Sequence, residues 1–235
     1  MNDQTSTLLN WIELLLAEGP TPIEAQLLGR DPWNLLSDLA ATLRSLFSPT
    51  PLEELRARYP GVWFDQQGWY AVGSGAEIEP GSFLSGTVVL SKTALVRHSA
   101  YLRGAVYLGE GAVAGHATEL KNSLLMAGAA AAHFNYVGDS ILGAGANLGA
   151  GAICANLRLD RAPVRVRLGS LSYASSLRKF GALVGAGSQI GCHAVLSPGT
   201  VLGRDVWVGP GLSLRGFYES GSRILSLEGR HASSR

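Results

Sequence analysis

The stretch of residues 84–108, LSGTVVLSKTALVRHSAYLRGAVYL, has an apolar residue at every sixth position. The same spacing continues on both sides of it, and a small or branched residue stands four positions after each apolar one. Ten apolar residues share this register: Val72, Ile78, Leu84, Leu90, Val96, Leu102, Leu108, Ala114, Leu120 and Met126. A period of six is too short for a pair of helices and fits one short strand followed by one turn. The stretch therefore predicts a β-solenoid, because a glycine-rich β-sandwich would not hold one register over ten steps.

This six-residue pattern resembles that of left-handed parallel β-helices, in which three units close one triangular coil of about eighteen residues. The predicted fold class is mainly β, a left-handed parallel β-helix (a hexapeptide-repeat solenoid) with a small N-terminal α-helical region. We expect a helical cap or adaptor over residues 1–60, the β-helix over 70–215 with an inserted arm at about 157–181, and a C-terminal tail over 216–235. The ends of a solenoid expose unpaired strands, so the cap and the tail are expected to cover them.

Apolar residues in the N-terminal region recur at helical spacing. One set belongs to a first amphipathic helix: Leu8, Leu9, Ile12, Leu15 and Leu16. A second helix is predicted from Pro32 to about Phe47, because an acidic residue followed by proline is typical of a helix start. A third, shorter helix is predicted around Leu52 and ends before Pro60. Nothing in this region indicates a catalytic role.

The composition excludes several functional classes. Charged residues make up 16% of the chain and the formal net charge is +1, so no overall positive field attracts nucleic acid or an acidic membrane. No apolar run reaches the ~18 residues needed to span a bilayer, and the N-terminus lacks the basic start of a secretion signal. The expected location is cytoplasmic. Cys154 and Cys192 form neither a disulfide framework nor a zinc motif, and both are expected to be reduced and at least partly buried.

Residues about eighteen positions apart are expected to lie side by side on neighbouring coils, about 5 Å apart along the backbone. Arg103 and Lys121 have this spacing, and Glu119 stands two residues before the lysine. Two stacked cations on a weakly charged chain indicate an anion site, most naturally for a phosphate. Two solvated surface side chains would have the same spacing, and the sequence alone leaves both interpretations open.

The six-residue register breaks once over a short distance. Sixteen residues separate Met126 from Leu142, four more than two full units. We expect a bulge or loop in this interval that moves His133 and Tyr136 off the regular wall of the solenoid. Breaks in a consistent pattern tend to mark functional sites, whereas a single histidine is more often structural. His133 is therefore a candidate catalytic residue, with a structural role as the alternative.

A long insertion separates Cys154 from Val184 and carries six basic residues: Arg158, Arg161, Arg165, Arg167, Arg178 and Lys179. The alternation in residues 164–167, VRVR, predicts a half-exposed strand rather than a nucleic-acid patch, which usually includes aromatic residues. The insertion is either a solvated hairpin or an arm that reaches a neighbouring subunit or binds an anionic cofactor.

Four runs of sequence are similar to a known enzyme family: ATELKNS (117–123), HFNYVGDSILG (133–143), NLGAG (147–151) and ANLRLD (155–160). Together with Arg103, they resemble the acetyltransferase domain of the bifunctional enzymes that make UDP-N-acetylglucosamine, most of all the archaeal and stand-alone bacterial members. The resemblance implies an N-acetyltransferase that moves an acetyl group from acetyl-coenzyme A to the amine of an amino-sugar phosphate such as glucosamine-1-phosphate. It also implies a homotrimer with sites between subunits, and no metal in the reaction.

The resemblance also implies roles for single residues. His133 matches the family's general base, and an imidazole suits that role near neutral pH. The candidate residues for the sugar-phosphate pocket are Arg103, Glu119, Lys121, Tyr136, Asn147 and Asn156. The candidate residues for coenzyme A are Ala150, Cys192 and Pro210, the last two standing where the family has serine and alanine. Residues 1–60 are expected to be too short for a nucleotidyltransferase domain, so a separate nucleotidyltransferase is a candidate partner.

Two other functions compete with acetyl transfer. A non-catalytic trimeric β-helix could keep the pocket as a sugar-phosphate sensor or serve as a scaffold. A zinc carbonic anhydrase also uses a left-handed β-helix, but it needs two histidines five residues apart. The histidines of the repeat region include no such pair: His98, His116, His133 and His193. No metal site is therefore predicted, and acetyl transfer is the leading hypothesis.

Overall fold

The structure, a computed structural model, describes Trp11 and the ranges 13–15, 21–168 and 171–226. Trp11 and residues 13–15 are helical. Four helices follow: α1 (Pro22–Leu28), α2 (Pro32–Ser37), α3 (Leu39–Leu46) and α4 (Leu52–Arg58). None of the helices in these described ranges is long and apolar enough to cross a membrane.

The helices differ from the predicted ones in two respects. The second predicted helix is divided into α2 and α3 at Asp38, whose φ of −123° lies outside the helical range. Helix α1 was not predicted, although Thr21 caps it through a reciprocal pair of hydrogen bonds with Glu24. Four residues of the first predicted helix lie outside the described residues: Leu8, Leu9, Ile12 and Leu16.

The described residues contain short strands separated by tight turns. In chain order they are β1 (Trp63–Phe64), β2 (Trp69–Val72), β3 (Glu77–Ile78), β4 (Phe83–Leu84), β5 (Thr87–Leu90), β6 (Leu95–Val96), β7 (Tyr101–Leu108), β8 (Val113–His116), β9 (Glu119–Leu125), β10 (Ala130–His133), β11 (Tyr136–Gly138), β12 (Ile141–Leu142), β13 (Asn147–Leu148), β14 (Ile153–Cys154), β15 (Arg165–Leu168), β16 (Leu171–Ala174), β17 (Ala182–Val184), β18 (Gln189–Ile190), β19 (Val195–Leu196), β20 (Thr200–Leu202), β21 (Trp207–Val208), β22 (Ser213–Leu214), β23 (Phe217–Tyr218) and β24 (Arg223–Ile224).

Parallel pairing between successive coils arranges these strands, apart from β15 and β16, in three faces. Face A consists of β1, β4, the first parts of β7 and β9, β11, β14, β19 and β22. Face B consists of β2, β5, the second parts of β7 and β9, β12, β17, β20 and β23. Face C consists of β3, β6, β8, β10, β13, β18, β21 and β24. The chain passes through A, B and C in turn, and each corner is named by the two faces that it joins. The predicted fold class, mainly β with a left-handed parallel β-helix, is confirmed.

The interior of the coils is apolar and follows the six-residue register up to Leu120. The next interior residue is Leu125 rather than Met126, which belongs to a second apolar cluster outside the coils. The A–B corner between Leu120 and Leu125 is therefore one residue short, and the same holds one coil later between Val137 and Leu142. The predicted inward position of Met126 is wrong.

Both short corners turn through a residue with left-handed backbone, Asn122 at φ 51° and Asp139 at φ 46°. His133 ends β10 in a C–A corner of regular length, and Tyr136 begins β11. The predicted bulge at His133 and Tyr136 is wrong. The missing residues fall instead at corners where asparagine and aspartate tolerate a positive φ better than most residues do.

A second apolar core lies outside the coils, against face B. The N-terminal helices contribute large buried side chains such as Trp11, Leu35 and Leu43, and face B contributes Tyr107 and Ile141. The segment at Trp11 and helices α1 to α3 therefore cover the side of the solenoid.

Helix α4 closes the N-terminal end of the coils. Leu55 and Tyr59 are buried in the same core as the first interior residues, and the Tyr59 hydroxyl donates to the carbonyl of Ala76 at 2.7 Å. The strands of the coils run from Trp63 to Ile224, beyond both expected limits at 70 and 215. The division of the chain into domains stays a prediction.

The inserted arm contains an antiparallel hairpin of β15 and β16. Val166 is buried between the exposed residues Arg165 and Arg167, so the predicted half-exposed strand is confirmed. On β16, Tyr173 stacks on the ring of Trp33 with 5.6 Å between the centroids. The apolar side of the arm is thus held by helices of the same chain, while its arginine side faces outward.

Because the coils stack closely, we expect alanine to lower the free energy of unfolding by different amounts at two glycines of positive φ. At Gly86 (φ +82°) an added Cβ would lie 2.2 Å from the carbonyl oxygen of Gly104, whereas at Gly111 (φ +67°) it would meet nothing within 4 Å. Both substitutions incur backbone strain of about 1 kcal/mol or more. Gly86→Ala should be destabilising by a further ~1–3 kcal/mol, because the neighbouring coil must move. Urea unfolding measures both free energies, and equal values would contradict the close approach of the coils.

Candidate active site

Five of the predicted site residues lie together on face A, towards the A–B corner: Arg103, Glu119, Lys121, Tyr136 and Asn156. Arg103 of β7 and Lys121 of β9 are direct register partners, so the expected stacking of these cations is confirmed. Glu119 pairs in the same way with Tyr136, one coil further on. Pairing between coils thus builds one polar surface from residues far apart in sequence. These five residues and Asp139 are called the polar cluster below.

Each cation of the polar cluster has its own carboxylate partner. Arg103 Nε donates to Glu119 Oε1 at 2.7 Å, and this bond raises the pKa of the Arg103 guanidinium. Lys121 Nζ donates to both carboxylate oxygens of Asp139, at 2.6 and 2.8 Å. The polar cluster is therefore electrically balanced, whereas the spacing of the two cations alone left an anion site and two solvated side chains equally open.

Asp139 was not predicted as a site residue, although it is the centre of the polar cluster. Its side chain is only 5% exposed. It also accepts hydrogen bonds from the side-chain amides of Asn122, at 3.1 Å, and Asn156. The spacing that links Arg103 to Lys121 could have identified it, because Asp139 follows Lys121 by a further eighteen residues.

The side chains of Tyr136 and Asn156 lie close to each other, next to Gly138. Burial, followed by the nearby carboxylates of Glu119 and Asp139, raises the pKa of the Tyr136 phenol, so its hydroxyl stays protonated and can donate a hydrogen bond. A Cβ at Gly138 would lie 2.7 Å from the Tyr136 hydroxyl and 2.6 Å from Asn156 Nδ2. The absence of a side chain at Gly138 therefore lets both polar groups approach the same point.

A second set of predicted residues lines the C–A corner. Backbone amides of each coil donate to carbonyls of the coil before it at 2.8–2.9 Å: Gly151 to His133, His193 to Ala150, and Gly211 to Cys192. This pairing aligns four predicted site residues along one corner: His133, Ala150, Cys192 and Pro210. These four residues are called the corner column below.

Two further histidines precede the corner column at the same corner. The rings of His98 and His116 stack with 4.0 Å between their centroids, and His116 is the register partner of His133. Their separations of eighteen and seventeen residues match the coil period, so the sequence could have predicted this row of histidines. Within the described residues, no group of three His, Cys, Asp or Glu side chains is placed to hold a metal ion.

Asn135 fixes the corner that carries His133, and it was missed in the sequence. Its buried side chain accepts a hydrogen bond from the backbone amide of His133 at 3.1 Å. The same side chain donates to the carbonyls of Gly149, at 2.8 Å, and Ala152, at 3.1 Å, on the next coil. The exposed imidazole of His133 is thus attached to a backbone that is held on two coils.

Asn147 lies on face C, paired with Ala130 and Gln189 and outside the polar cluster, and its place in the sugar-phosphate pocket stays a prediction. Cys192 is exposed, because it stands on the outside of a corner, so the expectation of at least partial burial is wrong for this residue. Cys154 is buried as expected, and burial raises the pKa of its thiol to about 12.

No protein-family model matches the chain. The chain is 34% identical over 114 residues to the bifunctional protein GlmU of Methanococcus aeolicus, a match covering 48% of this chain and 28% of the relative. It is 37% identical over 107 residues to a bifunctional sugar-1-phosphate nucleotidylyltransferase/acetyltransferase of Sulfurisphaera tokodaii, covering 40% and 27%. It is 32% identical over 114 residues to YaiX of Escherichia coli, described as an uncharacterized acetyltransferase, covering 48% and 50%.

Solved structures align more weakly. The acetyltransferase domain of PglB from Neisseria gonorrhoeae, in complex with acetyl coenzyme A, aligns at 17% identity and a TM-score of 0.29, over 74% of this chain and 60% of that chain. A hexapeptide transferase family protein from Anaplasma phagocytophilum aligns at 19% identity and a TM-score of 0.21, over 71% and 85%.

The six-residue repeat and the β-helix define the class of fold, a hexapeptide-repeat solenoid. Over 40–48% of its length the chain is similar in sequence to the acetyltransferase relatives named above. The chain spans between about a quarter and a half of the length of these relatives. The activities of the whole relatives are therefore only a source of proposals for this chain.

The buried ion pair in the polar cluster predicts a loss of stability when Asp139 is neutralised. Asp139→Asn should be destabilising by about 2–3 kcal/mol, because it leaves the ammonium group of Lys121 without a partner in a site that is mostly buried. Asp160→Asn is the matched control, since Asp160 pairs with Arg158 on the surface and its loss should change stability little. Chemical unfolding of both variants measures the difference, and similar midpoints would contradict the central role of Asp139.

The two cysteines are expected to react with thiol reagents at very different rates. Cys192 is exposed and should react with a disulfide reagent such as Ellman's reagent in the folded protein. Cys154 is buried with a raised thiol pKa and should react only after unfolding. The test is the number of reactive thiols, one in the native protein and two in denaturant. Two fast-reacting thiols in the native protein would contradict the interior position of Cys154.

Proposed function

We propose that the protein is an N-acetyltransferase that moves the acetyl group of acetyl-coenzyme A to the amine of a phosphorylated amino sugar of the glucosamine-1-phosphate type. The observation that carries this proposal is the position of His133, which stands exposed where the corner column meets face A. The polar cluster lies towards the opposite edge of the same face. A general base, a strip for an acyl donor and a group of charged residues for the acceptor thus border one surface.

The distance across face A, from His133 at one edge to the cations at the other, is short enough for one acceptor molecule. Tyr136 begins β11 three residues after His133, and Gly138, two residues further on, is the register partner of Lys121. Two residues of a strand extend over ~7 Å, comparable with one sugar ring. We place the sugar over Tyr136, with its amine towards His133 and its phosphate towards Arg103 and Lys121.

In the proposed reaction, His133 takes a proton from the amine of the acceptor. The amine nitrogen then bonds to the carbonyl carbon of the thioester, the carbon–sulfur bond breaks, and the sulfur takes up a proton. The products are an N-acetylated sugar phosphate and the free thiol of coenzyme A. Asn135 supports this step by holding the backbone of His133.

The remainder of the corner column suits a long, thin acyl donor. Beyond His133 its members are Ala150, Cys192 and Pro210, which have short side chains and are flanked by glycines on the same corner. Such a wall lets an extended chain lie close to backbone groups that can accept or donate hydrogen bonds. We therefore assign the donor strip of acetyl-coenzyme A to these three residues.

A homotrimer with sites between subunits is part of the proposal. The exposed aromatic residues Trp63 and Phe83 support an interface on face A, and Phe83 packs against Tyr101 with 5.3 Å between their rings. A separate nucleotidyltransferase partner and a cytoplasmic location stay predictions.

One observation favours a non-catalytic sensor or scaffold instead. Both cations of the polar cluster are paired with carboxylates, as in a purely structural surface. The Arg103–Glu119 pair is 38% and 34% exposed, however, and pairs of this kind contribute little net stability. A phosphate could therefore replace Glu119 as the partner of Arg103, whereas Lys121 is held more firmly by buried Asp139.

Replacement of the proposed base tests the mechanism. His133→Ala should lower acetyl transfer by roughly 10²–10⁴-fold while leaving the fold intact, because general-base contributions are of this size and the side chain is exposed. His116→Ala, one coil earlier at the same corner, is the matched control and should retain most activity. Release of the coenzyme A thiol with glucosamine-1-phosphate measures both. Equal activity in the two variants would remove His133 from the mechanism.

Replacement of Arg103 tests the place of the phosphate. Arg103→Ala should raise the KM for glucosamine-1-phosphate by about ten- to a hundredfold, because a charge-assisted hydrogen bond is lost. The KM for unphosphorylated glucosamine should change much less, and Arg97→Ala provides a control outside the polar cluster. Steady-state kinetics with both acceptors decides the point, and equal effects on the two acceptors would refute the assignment.

A further inference from the structure

Four arginines surround a cavity of about 400 Å³ at the A–B corner, beside the hairpin: Arg158, Arg165, Arg167 and Arg215. They come from three separate segments, namely the loop after β14, strand β15 and the turn after β22. Pro198, Gly199 and Gly216 complete the wall. This site is called the arginine cavity below, and it lies at a different corner of the triangle from the corner column.

The charges in the arginine cavity are poorly compensated. No carboxylate is among its lining residues. Arg158 forms a local ion pair with Asp160, and Arg165 Nε donates to the Ser172 hydroxyl at 3.2 Å. Across the described part of the chain, the side chains of Arg167 and Arg215 form no hydrogen bond or ion pair. This contrasts with the polar cluster, where each cation is matched by a carboxylate.

The fold holds these like charges together despite their mutual repulsion. Alternation along β15 buries Val166 and so directs Arg165 and Arg167 to the same side. Gly199 allows the hairpin to approach the coils closely, because a Cβ there would lie 2.6 Å from the carbonyl oxygen of Arg165. Since the whole chain carries a net charge of only +1, four arginines in one concavity, of which only Arg158 has a carboxylate partner among the described residues, are a marked local excess.

We propose that the arginine cavity binds a small molecule that carries a diphosphate group. A guanidinium group matches two oxygens of a phosphate, so two arginines suffice for one phosphate and four suit two linked phosphates. A volume of about 400 Å³ is within the usual range for small-molecule sites. Inorganic diphosphate, nucleoside diphosphates and the adenosine end of coenzyme A share this chemistry. The proposal does not depend on acetyl transfer by this protein.

Isothermal titration of the full-length protein at low salt tests this site. The titrants are inorganic diphosphate and inorganic phosphate, followed by ADP, UDP and coenzyme A. Arg215→Ala and Arg167→Ala remove cavity charges, and Arg178→Ala removes an exposed arginine of the same insertion that does not line the cavity. Circular dichroism confirms that each variant is folded.

We expect diphosphate to bind at least about tenfold more tightly than phosphate, with each cavity variant weakening it by about ten- to a hundredfold. Arg178→Ala should stay within about twofold of the parent. Tighter binding of ADP or UDP identifies a nucleotide as the source of the diphosphate, and tighter binding of coenzyme A identifies that molecule. Equal binding of phosphate and diphosphate, or an equal loss in Arg178→Ala, would overturn the proposal in favour of general charge attraction. Acetyl transfer is measured separately, so failure of one proposal leaves the other open.

Discussion

The backbone pairing between successive coils is the constraint on which the rest of the structure depends. Strands of the coils bond to strands one coil away, so residues far apart in sequence, by seventeen or eighteen positions in many of the coils, become neighbours. The pairing of Arg103 with Lys121 and that of His116 with His133 are two results of the same rule. Because the rows are set by the backbone, a side chain changes its neighbours only if a corner gains or loses a residue. The candidate functional residues of this protein therefore lie in rows along a face and a corner of the solenoid, and not in one loop.

The periodic part of the fold could be predicted from the sequence, and the departures from the period could not. A spacing of six identifies strands and turns, since one apolar side chain of each unit packs in the interior of the coils. It cannot locate a single missing residue where two adjacent residues are both apolar, as Leu125 and Met126 are. The outer core on face B was likewise beyond prediction. The stacking of Tyr173 on Trp33 joins segments more than a hundred residues apart in the chain.

The candidate site was likewise predictable from the sequence only in part. The cations Arg103 and Lys121 could be found by spacing, but their partners could not be found from charge alone. The partnership of Asp139 with Lys121 depends on a corner with left-handed backbone, at φ 46°, which turns the carboxylate towards the lysine. The electrostatic consequence is a polar cluster that is balanced and an arginine cavity that is not. Among the described residues, each cation of the polar cluster thus has a carboxylate partner, whereas Arg165, Arg167 and Arg215 of the arginine cavity have none.

In the proposed function, face A and its two edges transfer an acetyl group to the amine of a phosphorylated sugar. The most direct measurement is the identity of the product after the purified protein is incubated with acetyl-coenzyme A and glucosamine-1-phosphate, determined by mass spectrometry and proton NMR. We expect the product to carry a single acetyl group in amide linkage to the sugar nitrogen, with the phosphate intact. A folded protein that leaves every phosphorylated amino sugar unmodified, or that acetylates a hydroxyl group instead, would contradict it.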